Sequence, residues 1–298
     1  MARGGQRALV LAVLTAPGLL IFFAFALGPM IAAAGIGFLA WDGISAPEFA
    51  GGRNWLAAVA DPTTTHSLLL TVELMALSWV IQTPISLALG VFIAGHSRYR
   101  AVLAVLYFLP LLFSAVAIGI VWATALLSQN GALNALLRGV GLGGLAGNWL
   151  GNPEIALFTI AGVIAWQFIP FHTLLFQAGR RQIPPTLYEA AVMDGANDWS
   201  QFLHVTLPQL RYTIVTSTTL NLIGSLTYFD LIYIMTGGGP GFATRTLSLH
   251  MYITAFQDTQ IGYGCAIAVL LAVIGLVLAA LLVRVSGFAA MQSQVEGL

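Results

Sequence analysis

Polar side chains gather in three kinds of place in this 298-residue chain. The first is Leu187–Pro208, LYEAAVMDGANDWSQFLHVTLP, which holds Glu189, Asp194 and Asp198, three of only 11 acidic residues. The second is a run that contains Asn221, Ser225, Thr227, Tyr228 and Asp230. The third is a scatter of polar residues in apolar surroundings: Glu73, Gln167, His172 and Tyr263. Carboxylates, amides, hydroxyls and a phenol suit two tasks, hydrogen bonding to a hydroxyl-rich solute and docking onto a basic protein surface. They do not build a catalytic centre. Cys265 stands alone in an apolar run and reads as a buried bystander. His66, His96, His172, His204 and His250 show no ligand spacing with Cys or carboxylate, so no metal site is expected. All 11 basic residues are Arg. Without Lys there is neither a Walker A loop nor Schiff-base chemistry. Thr236–Gly241, TGGGPG, follows a helical run and contains Pro, so it reads as a turn rather than a phosphate cradle. The chain is expected not to be an enzyme and to bind no cofactor of its own.

The surroundings of these residues decide what holds them. Apolar residues make up 58% and charged residues 7%, against roughly 25% charge in a soluble domain. So little charge cannot cover a water-facing surface, and the chain must dissolve in lipid. Its net charge of zero gives no sign of a nucleic-acid partner. A spanning helix needs about 20 apolar residues, and six segments qualify: Ala8–Ala40, Ser67–Ala94, Ala101–Leu127, Ile155–Ala178, Tyr212–Thr236 and Tyr263–Val285. The expected fold is therefore all-α and polytopic, a single membrane domain over residues 1–298. The first segment would run about 50 Å if wholly helical, so tilt or protrusion is expected, with bends at Pro17 and Gly28-Pro29. A cleaved signal peptide is the rival reading, and Arg3 and Arg7 suit its basic start. The apolar stretch is far longer than such a signal needs, so it reads as a retained span.

Six spans place both termini on one side. The loops and tails of that side hold Arg3, Arg7, Arg98, Arg100, Arg180, Arg181, Arg211 and Arg284, eight in all; the opposite loops hold Arg53, Arg138 and Arg245. The positive-inside bias puts both termini, and the loop 179–211, in the cytoplasm. That loop is too long for a simple connector. Pro184-Pro185 stop one helix and suit the first turn of another. Thr186 is expected to cap it, with Glu189 at capping-box spacing. Asp194-Gly195 makes a turn, Asn197 or Asp198 caps a second helix, and Leu207-Pro208 closes it.

Glu189-Ala190-Ala191, three residues, Gly195, nine residues, then Val205-Thr206-Leu207-Pro208 resembles the EAA loop of ABC importer permeases, with Val205 in place of the usual Ile. Tyr228–Tyr233, Thr236–Gly241 and Thr244-Arg245-Thr246 are similar to the end of the fifth span in carbohydrate importer permeases of the maltose and glycerol-phosphate type. Ile183-Pro184 and Asp194-Gly195-Ala196 match the same subset. The resemblance runs from the fourth span to the end; the first half agrees in span layout only. It implies the type I ABC importer permease fold in a bacterial inner membrane. It also implies a coupling role for Glu189, Ala190, Ala191, Asp194, Gly195, Leu207 and Pro208 in a cleft of a partner ATPase. Implied partners are a second homologous permease, two ABC ATPase subunits carrying ATP and Mg, and an extracytoplasmic solute-binding protein, with membrane lipid around the spans. Glu189 then either grips the ATPase or caps its own helix.

Polar groups within spans are costly and often functional. On a continuous helix, Asn221, Ser225 and Tyr228 would share one face. That face either lines a substrate path, together with Glu73, Gln167, Asp230 and Tyr263, or makes hydrogen bonds between packed helices. Asp230, which matches the family motif, is weighted toward shaping the outer gate. No Arg lies inside any span, which favours a neutral or weakly cationic solute such as a sugar or polyol, since a phosphate group calls for Arg or Lys. A sister subunit could supply those, so glycerol phosphate or glycerophosphodiesters stay open. An ion-coupled secondary transporter using Glu73 or Asp230 is the alternative from another class.

Overall fold

The computed structural model describes residues 13–95 and 97–285, and helices dominate it. Arg3, Arg7, His96 and the first residues of the span expected from Ala8 lie outside the described residues. The first helix, α1 (Val13–Ile36), widens to a π-turn over Phe23–Leu27. Its cause is local. Pro29 has no N–H to continue the ladder, and the Gly28 N–H reaches back five residues to the Phe23 carbonyl. The helix stops at Ile36, short of the expected Ala40, because the chain turns there into a two-stranded antiparallel pair. Strands β1 (Leu39–Ala40) and β2 (Glu48–Phe49) pair with Leu39 opposite Phe49. A short helix, α2 (Arg53–Ala60), follows.

Helix α3 (Pro62–Ile93) is 32 residues long and starts on a Pro, as a first helical turn allows. The third expected span is divided. Helix α4 (Arg98–Leu112) and helix α5 (Ala115–Leu126) meet at 93°, because the chain leaves the first at an extended Phe113 and the Ser114 hydroxyl caps the second by accepting from the Ala117 N–H at 3.2 Å. Helix α6 (Ala132–Gly139) precedes α7 (Ala156–Arg181), the most deeply buried long helix. Next come α8 (Pro185–Met193) and α9 (Asp198–Gln201), the latter carried on by a wider turn, Phe202–Thr206, into Leu207–Gln209.

The fifth expected span, Tyr212–Thr236, is corrected to two pieces. Helix α10 (Arg211–Ser225) and helix α11 (Asp230–Thr236) are separated by Leu226–Phe229. Hydroxyls compete for the backbone at this point. Ser225 Oγ donates to the Asn221 carbonyl at 2.7 Å, and Thr227 Oγ1 donates to that of Gly224 at 2.9 Å. The Tyr228 carbonyl, freed by the break, accepts from Ser248 Oγ at 2.8 Å. Helix α12 (Leu247–Tyr252) and the final α13 (Ile261–Val285) complete the chain. Helices α1, α3, α7 and α13 are long and apolar enough to cross a membrane, and the α4–α5 pair makes a fifth if it counts as one span.

These elements form two compact units. One combines the described residues up to Thr65 with His250–Val273; the other combines His66–Leu249 with the described residues from Ile274 onward. In the first, Asn54 on α2 donates to the carbonyls of Gly37 and Leu39 at 3.1 and 2.8 Å, which ties the strand pair to the helix. In the second, α7 is central. Gly90 of α3 approaches it so closely that a Cβ there would lie 2.5 Å from Phe176 Cβ and 2.9 Å from the Thr173 carbonyl. Gly179 of α7 gives α10 similar access, with Thr213 Oγ1 2.6 Å from the position of a Cβ.

Candidate functional site

The loop between α7 and α10 folds as two helices around a glycine. Pro184 is extended, with ψ of 133°, and Pro185 takes the first helical position of α8. Thr186 is therefore already inside the helix, and no side chain caps this end. The expected capping box is not formed, so Glu189 is exposed and free of its own helix terminus. At the far end Gly195 adopts φ of 78°, with open space around it. That backbone value, not crowding, is what requires glycine. Asn197, one of the two expected caps, accepts from the Ser200 N–H at 2.8 Å and starts α9. Tyr188 and Thr206 join their hydroxyls at 2.8 Å, locking α8 against the wide turn after α9.

Pro208 opens the last short turn before Leu210, where the chain enters α10. The loop keeps its outer face bare. Ala190 and Asp194 are exposed, as are Val192, Trp199 and Met193, the last at 87%. Ala191 and Leu207 are half-buried. Apolar side chains on so exposed an elbow, beside the exposed carboxylates Glu189, Asp194 and Asp198, make a surface suited to a partner protein.

Within the second unit a polar network crosses the helices. Asn221 Nδ2 donates to Gln82 Oε1 at 2.9 Å and lies 3.5 Å from His172 Nε2. His172 Nδ1 and Ser217 Oγ share a hydrogen at 2.9 Å. Gln82, Asn221 and Ser225 are buried at 0%, 2% and 1% exposure. Of the expected face, then, Asn221 and Ser225 lie in a packed contact, and the Ser225 hydroxyl is engaged by its own helix. Tyr228 falls in the break beyond α10, with its ring 5.4 Å from that of Phe168. Among the described residues, the buried atoms left without a partner include Gln82 Nε2 and Asn221 Oδ1 of this network and Gln167 Oε1 on α7. Sequence reasoning passed over Gln82 and Ser217. The signal for Gln82 was available, as an amide two residues before Pro84 in an otherwise apolar span.

Glu73 is exposed on α3, and Asp230 is exposed in the first turn of α11, where the helix dipole favours a carboxylate. Tyr263 belongs to the first unit. Its hydroxyl donates to Asp61 Oδ2 at 2.9 Å and lies 2.9 Å from Thr64 Oγ1. His250 Nε2 is 3.1 Å from the same Thr64 oxygen and 3.9 Å from Asp61. Partial burial raises the Asp61 carboxyl, but the Thr63 N–H, Tyr263, Thr64 and nearby His250 together hold it below the ordinary carboxylate value. Its contribution to stability is therefore complete above the ordinary carboxylate range and is lost as pH falls through the lowered value. Asp61→Asn is expected to lower the thermal midpoint by removing about 1 kcal/mol of hydrogen bonding. A melting curve of the purified protein at neutral pH checks this, and the difference from wild type should shrink in acid.

The family described as binding-protein-dependent transport system inner membrane component matches residues 86–287. The chain belongs to this family. A probable ABC transporter permease of Pyrococcus horikoshii is 33% identical over 247 residues, covering 81% of this chain and 83% of that one. The trehalose/maltose transport system permease of Thermococcus litoralis is 33% identical over 222 residues, 74% of each chain. The arabinooligosaccharides permease of Bacillus subtilis is 30% identical over 278 residues, 92% of this chain and 87% of the other. A chain of the crystal structure of a bacterial alginate ABC transporter, in complex with its alginate pentasaccharide-bound periplasmic protein, superimposes with a TM-score of 0.83. It is 22% identical and covers 97% of this chain and 98% of its own. The shared fold is that of a type I ABC importer permease. A permease of this family is a transport component and not itself an enzyme.

Proposed function

We propose that this chain is the translocating subunit of an ATP-driven importer that takes a neutral, hydroxyl-rich solute of the sugar class from an extracytoplasmic binding protein. The observation that carries the reading is the α8–α9 elbow: long fixed motif spacing, a positive-φ glycine at the turn, and Glu189 exposed without a capping duty. Glu189, Ala190, Ala191, Asp194, Gly195, Leu207 and Pro208 form the surface that seats in a partner ATPase, which holds ATP and Mg. The names of the maltose and arabinooligosaccharide relatives, together with spans free of interior Arg, support the sugar class over a phosphorylated solute. The membrane is a bacterial inner membrane, crossed six times, by α1, α3, α4–α5, α7, α10–α11 and α13, with both termini in the cytoplasm. The arginine imbalance supports this orientation, and so does a cleft that gathers Arg100 with Arg180 and Arg181 at one end of the second unit.

A second permease completes the path. Glu73 lies about 16 Å along α3 from its start, exposed among apolar neighbours. A carboxylate facing lipid there would cost roughly 2.5–3.5 kcal/mol. A partner subunit or a wet cavity must therefore cover it. The buried Gln82–Asn221–His172 network is the closed form of the path wall, and its unpartnered atoms meet solute when the helices part. Gln167, Ser225, Tyr228 and Asp230 flank the same route. Asn221→Ala is expected to raise the half-saturating solute concentration for uptake at least five-fold at normal assembly; unchanged uptake would sink the path assignment. The energy source separates the two classes of transporter. Uptake in cells is expected to stop on ATP depletion and to survive a protonophore while ATP is maintained. The reverse pattern would identify an ion-coupled carrier.

A further inference from the structure

A cleft of about 480 Å³ in the second unit gathers three arginines from separate elements. Arg100 comes from the first turn of α4, Arg180 and Arg181 from the last turn of α7, and Ala94 and Gly95 at the end of α3 close one side. Tyr188 and Glu189 of α8 close the other. Cations in the last turn of α7 are ordinary by themselves, because the helix dipole favours them there. Arg100 has no such reason to join them. The Arg180 guanidinium lies 4.0 Å from the centre of the Tyr188 ring, and that of Arg100 lies 4.8 Å from the Phe92 ring. Arg181 Nε donates to the Ala94 carbonyl at 3.4 Å. Stacking on a ring uses none of a guanidinium's five N–H donors. Among the described residues no carboxylate forms an ion pair with any of the three, although Glu189 lines the same space. The cleft therefore keeps a net positive charge and a supply of planar donor forks, the chemistry that matches phosphate oxygens.

We propose that this cleft binds a phosphate group, carried either by an anionic phospholipid or by a soluble phosphorylated compound, and that the bound group clamps α8 to the ends of α3 and α7. The lipid source rests on the orientation proposed above, in which this end meets the cytoplasmic leaflet, where basic clefts between helices hold anionic headgroups. The importer complex purified from native membranes is placed in nanodiscs of phosphatidylcholine with a minority of phosphatidylglycerol. Native mass spectrometry then counts retained phosphatidylglycerol. Each arginine near an anionic surface is worth about a five-fold change in binding, so R100Q with R181Q is expected to weaken retention by about 25-fold. E189Q, which removes the one opposing charge, is expected to tighten it. A merely misfolded variant would not give opposite signs for the two changes.

If phosphatidylglycerol retention is the same in all three proteins, inorganic phosphate decides the matter in a thermal-shift titration. Protection of wild type but not of R100Q/R181Q assigns the cleft to a soluble phosphate. No lipid difference together with no phosphate protection overturns the proposal. ATPase subunits are quantified in the wild-type sample. Their absence there would count against the importer reading, while the lipid count would still report on the cleft.

Discussion

Gly195→Val is expected to cut solute uptake at least ten-fold while leaving the amount of protein in the membrane unchanged. Gly195 holds φ of 78° between α8 and α9, and nothing surrounds the place where a side chain would go. The substitution therefore acts through backbone preference alone. A β-branched residue in the left-handed region costs roughly 1–2 kcal/mol or more. A change of about 1.4 kcal/mol shifts an equilibrium ten-fold, so the elbow would be populated rarely. Loss of the elbow separates Glu189 and Ala190 on α8 from Trp199 on α9, and with them breaks up the surface proposed to seat an ATPase. Gly195→Asn is the informative companion, because Asn tolerates positive φ. It should retain most of the uptake and most of the co-purifying ATPase. Equal loss in both variants would show that the turn geometry is not what matters.

The second large effect is on folding. Gly90→Leu is expected to prevent stable accumulation of the protein, and Gly90→Ala to lower its thermal midpoint. Even a single Cβ at residue 90 would lie 2.5 Å from Phe176 Cβ and 2.9 Å from the Thr173 carbonyl, so α3 and α7 must move apart. Overpacking of this kind costs about 1–3 kcal/mol, and a Leu adds three more carbons to a contact with no room for one. Small residues at such contacts are how membrane helices approach closely enough for packing to hold them. Gly162 of α7 has open space at its Cβ position, so Gly162→Ala should melt close to wild type. Thermal unfolding of the three variants in detergent measures the ordering; Gly90→Ala at or above Gly162→Ala would contradict the packing account.

Some of this was legible in residue types, and some depended on partners far along the chain. Apolar runs located α3, α7 and α13 to within a few residues, since composition alone decides what can lie in lipid. The helix–glycine–helix loop followed from Pro184-Pro185, Gly195 and Asn197, whose preferences act within a turn. The failure at Thr186 has the same local character. Pro185 takes the first helical position, which leaves Thr186 one residue too far in to cap. The break at Leu226–Phe229 was not legible. No proline marks it, and its freed carbonyl finds Ser248, twenty residues later. The Asn221–Gln82 bond spans 139 positions, and the Tyr263–Asp61 bond spans 202. Pairings of that kind follow from packing, not from spacing.

If this permease works only through an ATPase seated on the α8–α9 elbow, solute must stimulate ATP hydrolysis by the complex purified from native membranes through a tag on this chain and assayed across a sugar panel with the binding protein present. ATPase subunits and a second permease are expected to co-purify, one sugar to raise hydrolysis, and Gly195→Val to abolish the rise. A chain that purifies alone, or a complex whose hydrolysis ignores both solute and Gly195→Val, would contradict it.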